Sequence, residues 1–541
     1  MASMNKKRTD IMEDKNTTLN HEGMVVHKLN ALEEIMNRTM GSFMGEDGFY
    51  DKTSPEKDFD RIKELVSQVD PADAEYILKI AAIGREAGMI SYPLAVLTAC
   101  YNNDMFKGEN FLDESGKNKL GRYTDLVVRR GRDITDILAM QMNGYGFDIS
   151  NGKRTTPLPM QERKNLKRKL EEFDEYKIAK ALGESRQVSM ADAVKLLRPA
   201  NKNSFFKQVI EGNVKFANGK KQVQSEMTKV NNANSNTTVK DLKESIKDSS
   251  LLAIVKNLVG LIRQNALDDE VTSIIVKKLN NRDVVLKSKI MPYQIYSAYK
   301  MLGNQSGKNV VAIKNALVRA LDNSVDNVDS IDGYSAIFVD LSGSMDKSIS
   351  TLSSVTCREM ACLLAAIALK KSIARVYAFA NRCAEINVSS ASTVIDIMST
   401  INRTNVGGCT YLMECLTAVQ KSGEKFDNII VLSDGDAYTA TRNGFTLGGW
   451  SGGNCDSKVN ELIKKGVTKR FFINNLSARD FTIVNTDDYR KNLVTGFTER
   501  YIDEINFSIL LQRESADVRR LIDVLFNKYF GTPKKAQNKR K

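Results

Sequence analysis

The chain has 541 residues, 42% hydrophobic and 27% charged, with 8 prolines and a single tryptophan, a composition that fits a helix-rich globular protein and argues against an all-β design. That length exceeds one ordinary core, so two or three domains are expected. Net charge is +13 and the only two histidines are His21 and His27, which excludes most hydrolytic triads, histidine-based nuclease centres and His-ligated zinc, while leaving Asp, Glu and Lys chemistry open.

In chain order, MASMNKKRTDIMEDKNTT is polar and lacks the apolar core of a signal peptide, so residues 1–24 read as a flexible lead. From about residue 25 to 325 apolar residues recur three and four apart. FDRIKELVSQV, DAEYILKIAAIGREAG, LLAIVKNLVGLIRQ and VTSIIVKKL are predicted helices, with Asp70 or Asp73 of VDPADAEY as the cap of the second. No fixed repeat is visible. An array of antiparallel helix pairs follows from helix count and short connections. KVNNANSNTTVKDLKES, 229–245, is a polar loop, and GNQSGKN, 303–309, lacks the spacing and the hydroxyl residue of a phosphate loop.

Positive charge is concentrated. Residues 151–230 hold 18 Lys and Arg against 9 Asp and Glu, a net of +9. Residues 331–541 hold 28 against 22, and five of those cations lie in the tail GTPKKAQNKRK. Such asymmetry favours a polyanionic partner, nucleic acid first. Within RKNLKRKLEEFDEYKIAK, 163–180, the basic residues include Lys164, Lys167 and Arg168; Lys167 and Arg168 stand four before Glu171 and Glu172, so part of the run is readable as helix-face pairing. Arg129, Arg130 and Arg132 form a second basic group.

After NSVDNVDSIDGY the pattern changes. SAIFVDL, ARVYAFA, NIIVLSD and KRFFINN are short β-rich runs separated by helices at roughly 351–371, 392–403, 411–421 and 456–465. That alternation predicts a parallel sheet covered on both faces, with the domain boundary near residue 330. The longest apolar run, ACLLAAIAL, is too short to span a membrane. Seven cysteines without regular spacing argue against a disulfide framework and make the cytoplasm the default compartment. GGWSGG, 448–453, is read as a mobile loop.

In an open α/β sheet, ligands bind outside the carboxyl ends of the strands. Asp340 follows AIFV, and Asp434 follows NIIVLS; between them VGGCTYLMECL opens a helix with Thr410 at its start. In Asp340-x-Ser342-x-Ser344 a tight loop presents three oxygens to one point. With Thr410 and Asp434 the donors suit a hard divalent cation, most simply Mg²⁺. Asp-x-Ser-x-Ser alone is common in turns; all three pieces in order are more specific. Cys409 directly after the glycine pair leaves room for a threonine displaced by one residue, with Thr404 as the weaker alternative, and Asp436 reads as a solvated loop acid.

DLSGSM, GGCTYL and LSDGD together resemble the metal-ion-dependent adhesion site of a von Willebrand factor A domain. The resemblance implies that Asp340, Ser342 and Ser344 form the first metal loop, Thr410 the second and Asp434 the third, with one metal position left for an acidic group of a ligand. In the first half, FDEYKIAKALGESRQVSMADAVKLLRPANKNSFFKQVIEG, 173–212, resembles the helical RNA-binding TROVE module of the Ro ribonucleoprotein family. RTMGSFMGEDGFYDK, RYTDLVVRRGRDITDILAM and KLNNRDVVLKSKIMPYQIYSAYK fit it loosely. Ro proteins join this module to a C-terminal A domain, so the domain order is itself part of the resemblance, which spans roughly residues 25–525.

The implied fold is an all-α, HEAT-like helical-repeat ring over 25–330, then an α/β doubly wound, Rossmann-like parallel sheet over 331–525, with a basic tail from 526. The implied function is a monomeric, non-enzymatic RNA scaffold. Y RNA or a related small RNA would bind its outer surface, and single-stranded 3′ ends of misfolded RNA would enter a basic central hole. An exoribonuclease resembling polynucleotide phosphorylase would be the partner in decay. Carried over as RNA contacts are Lys180, Arg186 and Arg198, then Lys177, Lys202 and Lys207, beside the Lys164–Arg168 run and the Arg129 group. Arg198 of LLRP stands where many relatives place histidine, and Leu182 where bacterial relatives often carry a basic residue. Tyr176, Phe205 and Phe206 are conceivable stacking platforms, with core packing the simpler role. Two other readings remain: an interaction protein acting through the A-domain metal site, against which the concentrated basic block speaks, and a metal nuclease using Asp340 and Asp434, against which the hydroxyl-rich donor set speaks.

Overall fold

The computed structural model of the chain describes residues 17–19, 25–27, 29–41, 44, 54–146, 158–179, 181–182, 187–200, 205–214, 246–247, 249–263, 265–303, 305–349, 353–434, 453–476, 484, 490–495, 501–513 and 517–531. Packing divides the chain into two compact units, one of Leu29–Lys220 with Arg513–Lys541, the other of Met1–Lys28 with Lys221–Gln512. The loop expected at 229–245 lies outside the described residues.

Among the described residues the named elements of the first unit are helices, with one isolated bridge between Leu112 and Asn118. Helix Pro55–Gln68 begins where Ser54 Oγ accepts from Lys57 N at 3.3 Å and Pro55 takes the first turn, and it buries Phe59, Ile62, Leu65 and Val66 on one face. Of the two expected caps, Asp70 accepts from Ala72 N at 2.9 Å and so closes a 3₁₀ turn, whereas Asp73 makes no side-chain cap for helix Ala74–Glu86. Helix Ser91–Asn102 is buried from Tyr92 to Tyr101 and forms the centre of the unit. At Gly144, a Cβ would stand 2.3 Å from Phe59, so helix Gly131–Tyr145 approaches helix Pro55–Gln68 only because that position is glycine. The C-terminal helix Val518–Phe530 returns to this unit: Lys79 Nζ reaches Asp523 Oδ1 at 2.6 Å and Arg519 reaches Asp73 at 2.7 Å.

Two buried carboxyl groups are treated oppositely here. Asp133, wholly buried, accepts from Arg85 at 2.7 Å, from Arg130 at 2.6 and 2.9 Å, and from the backbone N–H groups of Arg129 and Arg130. Glu162 is also wholly buried; its Oε2 accepts from the Gln141 amide at 2.6 Å, and its Oε1 has no partner among the described residues. Burial pushes its carboxyl up to about 8, the Gln141 hydrogen bond opposing this only in part.

In the second unit the helices Leu251–Arg263, Asp269–Asn280, Arg282–Ser288, Pro292–Leu302 and Lys308–Ser324 share an apolar core with helix Cys357–Lys371, which covers one face of the sheet. One apolar core runs from Ile254 and Leu258 through Ile313 and Leu317 to Ile337, Val339 and Leu364. The expected change from helices to a sheet falls between Asn327 and Ser335, while packing keeps the last helices before it in the same unit as the sheet. Lys278 Nζ donates to the carbonyls of Ile246, Lys247 and Ser249 at 2.7–3.0 Å, and thereby satisfies a helical-turn end.

Strands β1 (Thr17–Leu19) and β2 (Val25–His27) pair antiparallel in the N-terminal segment read as a flexible lead. The main sheet contains β3 (Ser335–Asp340), β4 (Ala374–Phe379), β5 (Cys383–Glu385), β6 (Phe426–Ser433), β7 (Thr468–Asn475) and β8 (Lys491–Thr495), in the order β5-β4-β3-β6-β7-β8. All neighbours are parallel except β5, which folds back antiparallel on β4, so the sheet is mixed at one edge rather than purely parallel. β5 and β8 were not foreseen: CAE is too short for periodicity, and KNLVT carries polar residues at both ends. Alternate residues of β3 serve two cores, Ile337 and Val339 on the face of helix Cys357–Lys371, Ala336 and Phe338 on that of helix Leu412–Ser422. Helix Cys357–Lys371 starts later than the expected 351 because Thr356 and Glu359 cap it reciprocally, Glu359 N to Thr356 Oγ1 at 3.2 Å and Thr356 N to Glu359 Oε2 at 2.9 Å. Among the described residues no helix is long and apolar enough to cross a membrane.

Two outcomes are expected. The Asp133→Asn variant leaves the Arg85 guanidinium buried without its counter-charge and loses about 3–5 kcal/mol, read by urea unfolding. Because the folded Glu162 carboxyl is raised, its contribution is fully present below its ordinary value of 4.5 and is lost as pH rises towards 8. Glu162→Gln therefore stabilises the protein increasingly between pH 5 and pH 8 in thermal melts, and a pH-independent difference would contradict the burial argument.

Candidate metal centre and nucleic-acid face

β3 and β6 are neighbours whose carboxyl ends lie side by side, with chain connections leaving in opposite directions, so a crevice opens there. Asp340 ends β3 and Asp434 follows β6, and both are wholly buried. Ser433 Oγ donates to Asp340 Oδ2 at 2.7 Å and joins the first loop to the third. Ser342 N donates to Asp340 Oδ1 at 2.8 Å, and the Ser342 and Ser344 hydroxyls are 3.1 Å apart. Burial pushes the Asp340 carboxyl up to about 6; the Ser433 and Ser342 hydrogen bonds oppose this, and the Asp434 charge adds to it.

The second loop is held by the turn after β4. Gly343 N donates to Gly408 O at 3.2 Å, and Tyr411 N donates to Ala380 O at 2.9 Å. Asn381 Oδ1 accepts from both Gly408 N and Cys409 N at 2.7 Å. Gly407 has φ +94°, and a Cβ on it would lie 2.5 Å from the same Asn381 oxygen, so glycine is required twice over. The result is that Thr410 is buried while Cys409 is exposed. Thr404 is half-buried and donates to Thr400 O at 2.9 Å, as a helix-end hydroxyl does. Asp436 and the 448–452 part of GGWSGG lie outside the described residues.

Three supporting residues escaped the sequence reading. Arg358 Nη2 donates to Ser342 O at 2.9 Å while its Nε sits 2.7 Å from Asp346, which fastens the first loop from behind. Asn381 positions the second loop as described. Lys347 brings its ammonium 2.7 Å from Asp434 Oδ2. None belongs to a short motif, since each comes from a different part of the chain and is recruited by folding; only their polar character near a strand end or loop was a signal. Among the described residues no group of three or more His, Cys, Asp or Glu side chains comes together, so the charge at this crevice rests on two carboxylates amid hydroxyls. That all-oxygen donor set fits a hard divalent ion, and two buried carboxylates need compensating positive charge.

The candidate RNA contacts lie in the other unit and fall into two groups. Arg129 is 2.7 Å from Glu86, Arg130 is bound to Asp133, and Arg168 is 2.7 Å from both Asp125 and Glu172. Arg132 lies 3.8 Å from Asp136, Lys167 4.0 Å from Glu171 and Lys207 3.8 Å from Glu211, all looser. Lys164, Lys177 and Arg198 are exposed and in no ion pair among the described residues, and so is Lys195, which the sequence reading did not single out. Lys177 Nζ lies 5.4 Å from the centre of the Phe173 ring. Arg198 takes φ +50° as the C-cap of helix Met190–Leu197, a left-handed conformation that aims the chain away from the helix. Lys180, Arg186 and Lys202 lie outside the described residues. Phe205 and Phe206 are buried against each other, ring centres 6.2 Å apart, so both serve the core and not a stacking platform.

No curated protein matches this sequence. Residues 335–446 match the family model described as the Ro60 vWA domain, a span that holds all five candidate metal ligands. Among solved structures, the Ro (RSR) protein of Deinococcus radiodurans is similar at 16% identity over 88% of this chain and 99% of that one, with a TM-score of 0.63. Proximal thread matrix protein 1 from the mussel byssus aligns at 13% identity over 54% of this chain and 81% of that one, with a TM-score of 0.21, too low to bear on the fold. The helical first part followed by an A-domain sheet is therefore the architecture of a Ro protein. Residues 335–446 are thus similar to the A domain of that family, and the chain shares the fold of the Ro (RSR) protein over most of its length.

Proposed function

We propose that this protein is a non-enzymatic RNA-binding scaffold of the Ro type, a cytoplasmic monomer that holds a small structured Y-like RNA and captures single-stranded 3′ ends of misfolded RNA for decay by a partner exoribonuclease. The observation that carries the reading is the set of cations left over after folding. The basic excess of residues 151–230 is only partly consumed by internal ion pairs, and Lys164, Lys177, Lys195 and Arg198 remain exposed and unpaired among the described residues. Exposed ammonium and guanidinium groups without a carboxylate partner are what phosphate contacts require, and the affinity they supply falls as salt rises. Arg129, Arg130 and Arg168 are assigned a structural role in this reading.

The crevice of the A domain is given a separate task. Asp340, Ser342, Ser344, Thr410 and Asp434 would hold a divalent ion, most simply Mg²⁺, which when bound neutralises the two carboxylates and offers a coordination position to an acidic group of a protein partner. This chain's own residues supply the rest: Arg358 and Asn381 fix the loops, and Ser433 orients Asp340. A protein-interaction role for this crevice is also the second reading for the protein as a whole.

The experiment is anisotropy of the full chain with a labelled stem bearing a single-stranded 3′ tail against the same stem blunt, at several salt concentrations, with and without Mg²⁺. Tail-dependent, salt-sensitive, Mg²⁺-insensitive binding with intact RNA afterwards is expected; no binding at low salt overturns the scaffold reading in favour of the protein-interaction one. Charge reversal at Lys164, Lys177 and Arg198 together should lower affinity at least ten-fold and flatten the log–log salt slope by roughly 2, from about 0.7 per lost contact. Reversal at Arg168 should act on unfolding rather than on that slope. Asn381→Ala should speed hydrogen exchange at the Gly408 and Cys409 amides about ten-fold or more while leaving the β3 amides unchanged.

A further inference from the structure

Lys347 stands directly after the 3₁₀ turn Gly343–Asp346 that presents Ser344. Its backbone is tied down, because its carbonyl accepts from Cys357 N at 2.9 Å and the next residue, Ser348, bridges to Thr356. The ammonium lies 2.7 Å from Asp434 Oδ2, yet the lysine side chain is 32% exposed while Asp434 is wholly buried. A flexible four-carbon stem on a fixed backbone at the mouth of the crevice can place its charge on Asp434 or withdraw it to water. Arg358, which reaches the first loop from helix Cys357–Lys371, is held by Asp346 and the Ser342 carbonyl.

We infer that Lys347 is an internal counter-ion of the A-domain crevice: its ammonium compensates Asp434 in the metal-free protein, competes with a divalent ion for that carboxylate and so sets the affinity of the site. The geometry of the Lys347–Asp434 pair carries the argument. Among the described residues the two buried carboxylates have one ammonium beside them, and a divalent ion on the same carboxylates would bring a second positive charge against that ammonium at close range. Metal entry therefore displaces Lys347, and the cost of that displacement weakens metal binding. The inference rests on the metal-site reading proposed above, and it concerns a residue outside the donor set.

The test is calorimetric titration of the full chain with Mg²⁺ and with Mn²⁺, comparing the wild type with Lys347→Gln, Lys347→Arg and Asp434→Asn. Lys347→Gln should bind both ions about ten-fold more tightly, Lys347→Arg should stay near the wild type because it keeps the charge, and Asp434→Asn should lose binding. Metal-free Lys347→Gln should melt several degrees below the wild type, with saturating Mg²⁺ closing the gap. Equal affinities for wild type and Lys347→Gln, with Asp434→Asn inactive, would overturn the counter-ion role and leave the metal site standing. Weaker binding by Lys347→Gln would overturn it too, since the lysine would then assist the ion. Absence of binding in every variant would remove the metal-site reading and the inference with it.

Discussion

Two carboxylates without access to water, at the carboxyl edge of a parallel sheet, set the terms for the A domain. Burying one such group uncompensated is expensive, and burying two together is more so. The chain around Asp340 and Asp434 is arranged to meet that cost. Ser433 and the Ser342 amide donate to Asp340, Lys347 brings positive charge to Asp434, and Arg358 and Asn381 keep the loops in place without spending the carboxylate oxygens. A crevice tuned only for stability would carry apolar residues at these positions.

The apolar core explains why this edge is rigid enough to hold such a geometry. β3 is buried on both faces, and the residues that flank its end belong to two separate clusters. On one face the cluster extends into the helices between Leu251 and Ser324, so the sheet is backed by much more than its own crossover helices. The short alternating apolar pattern of β3 cannot slip by a residue without exchanging Ile337 and Val339 for Ala336 and Phe338 in cores of different shape. Asp340 is thereby held in register at the strand end.

In the helical unit, charge has two uses that look identical in sequence. Arg130 and Arg198 are both arginines flanking helices in basic stretches. Arg130 closes on a buried aspartate that also neutralises Arg85, and its removal is a matter of stability. Arg198 sits in a left-handed cap with its side chain in solvent, where no carboxylate of the described residues reaches it. Among the described residues, Lys164, Lys177, Lys195 and Arg198 are left exposed without an ion pair.

Much of this was legible in the chain itself. Periodicity located the helices and four of the strands, because spacing of three and four or alternation of two is imposed by backbone geometry alone. The loops around Asp340, Thr410 and Asp434 were visible because short apolar runs ending in Asp, Ser or Thr mark the ends of strands and the starts of helices. The edge strand β5, the later start of helix Cys357–Lys371 and the packing of helices 251–324 with the sheet were not, since each depends on a partner distant in sequence. The same holds for Lys347, Arg358 and Asn381, whose roles exist only once folding brings them within hydrogen-bonding distance of loops they do not neighbour in the chain. Local sequence determined which elements form and which donors stand at their ends. Tertiary structure alone decided which charges are compensated and which stay free, because pairing requires proximity that only the packed chain creates.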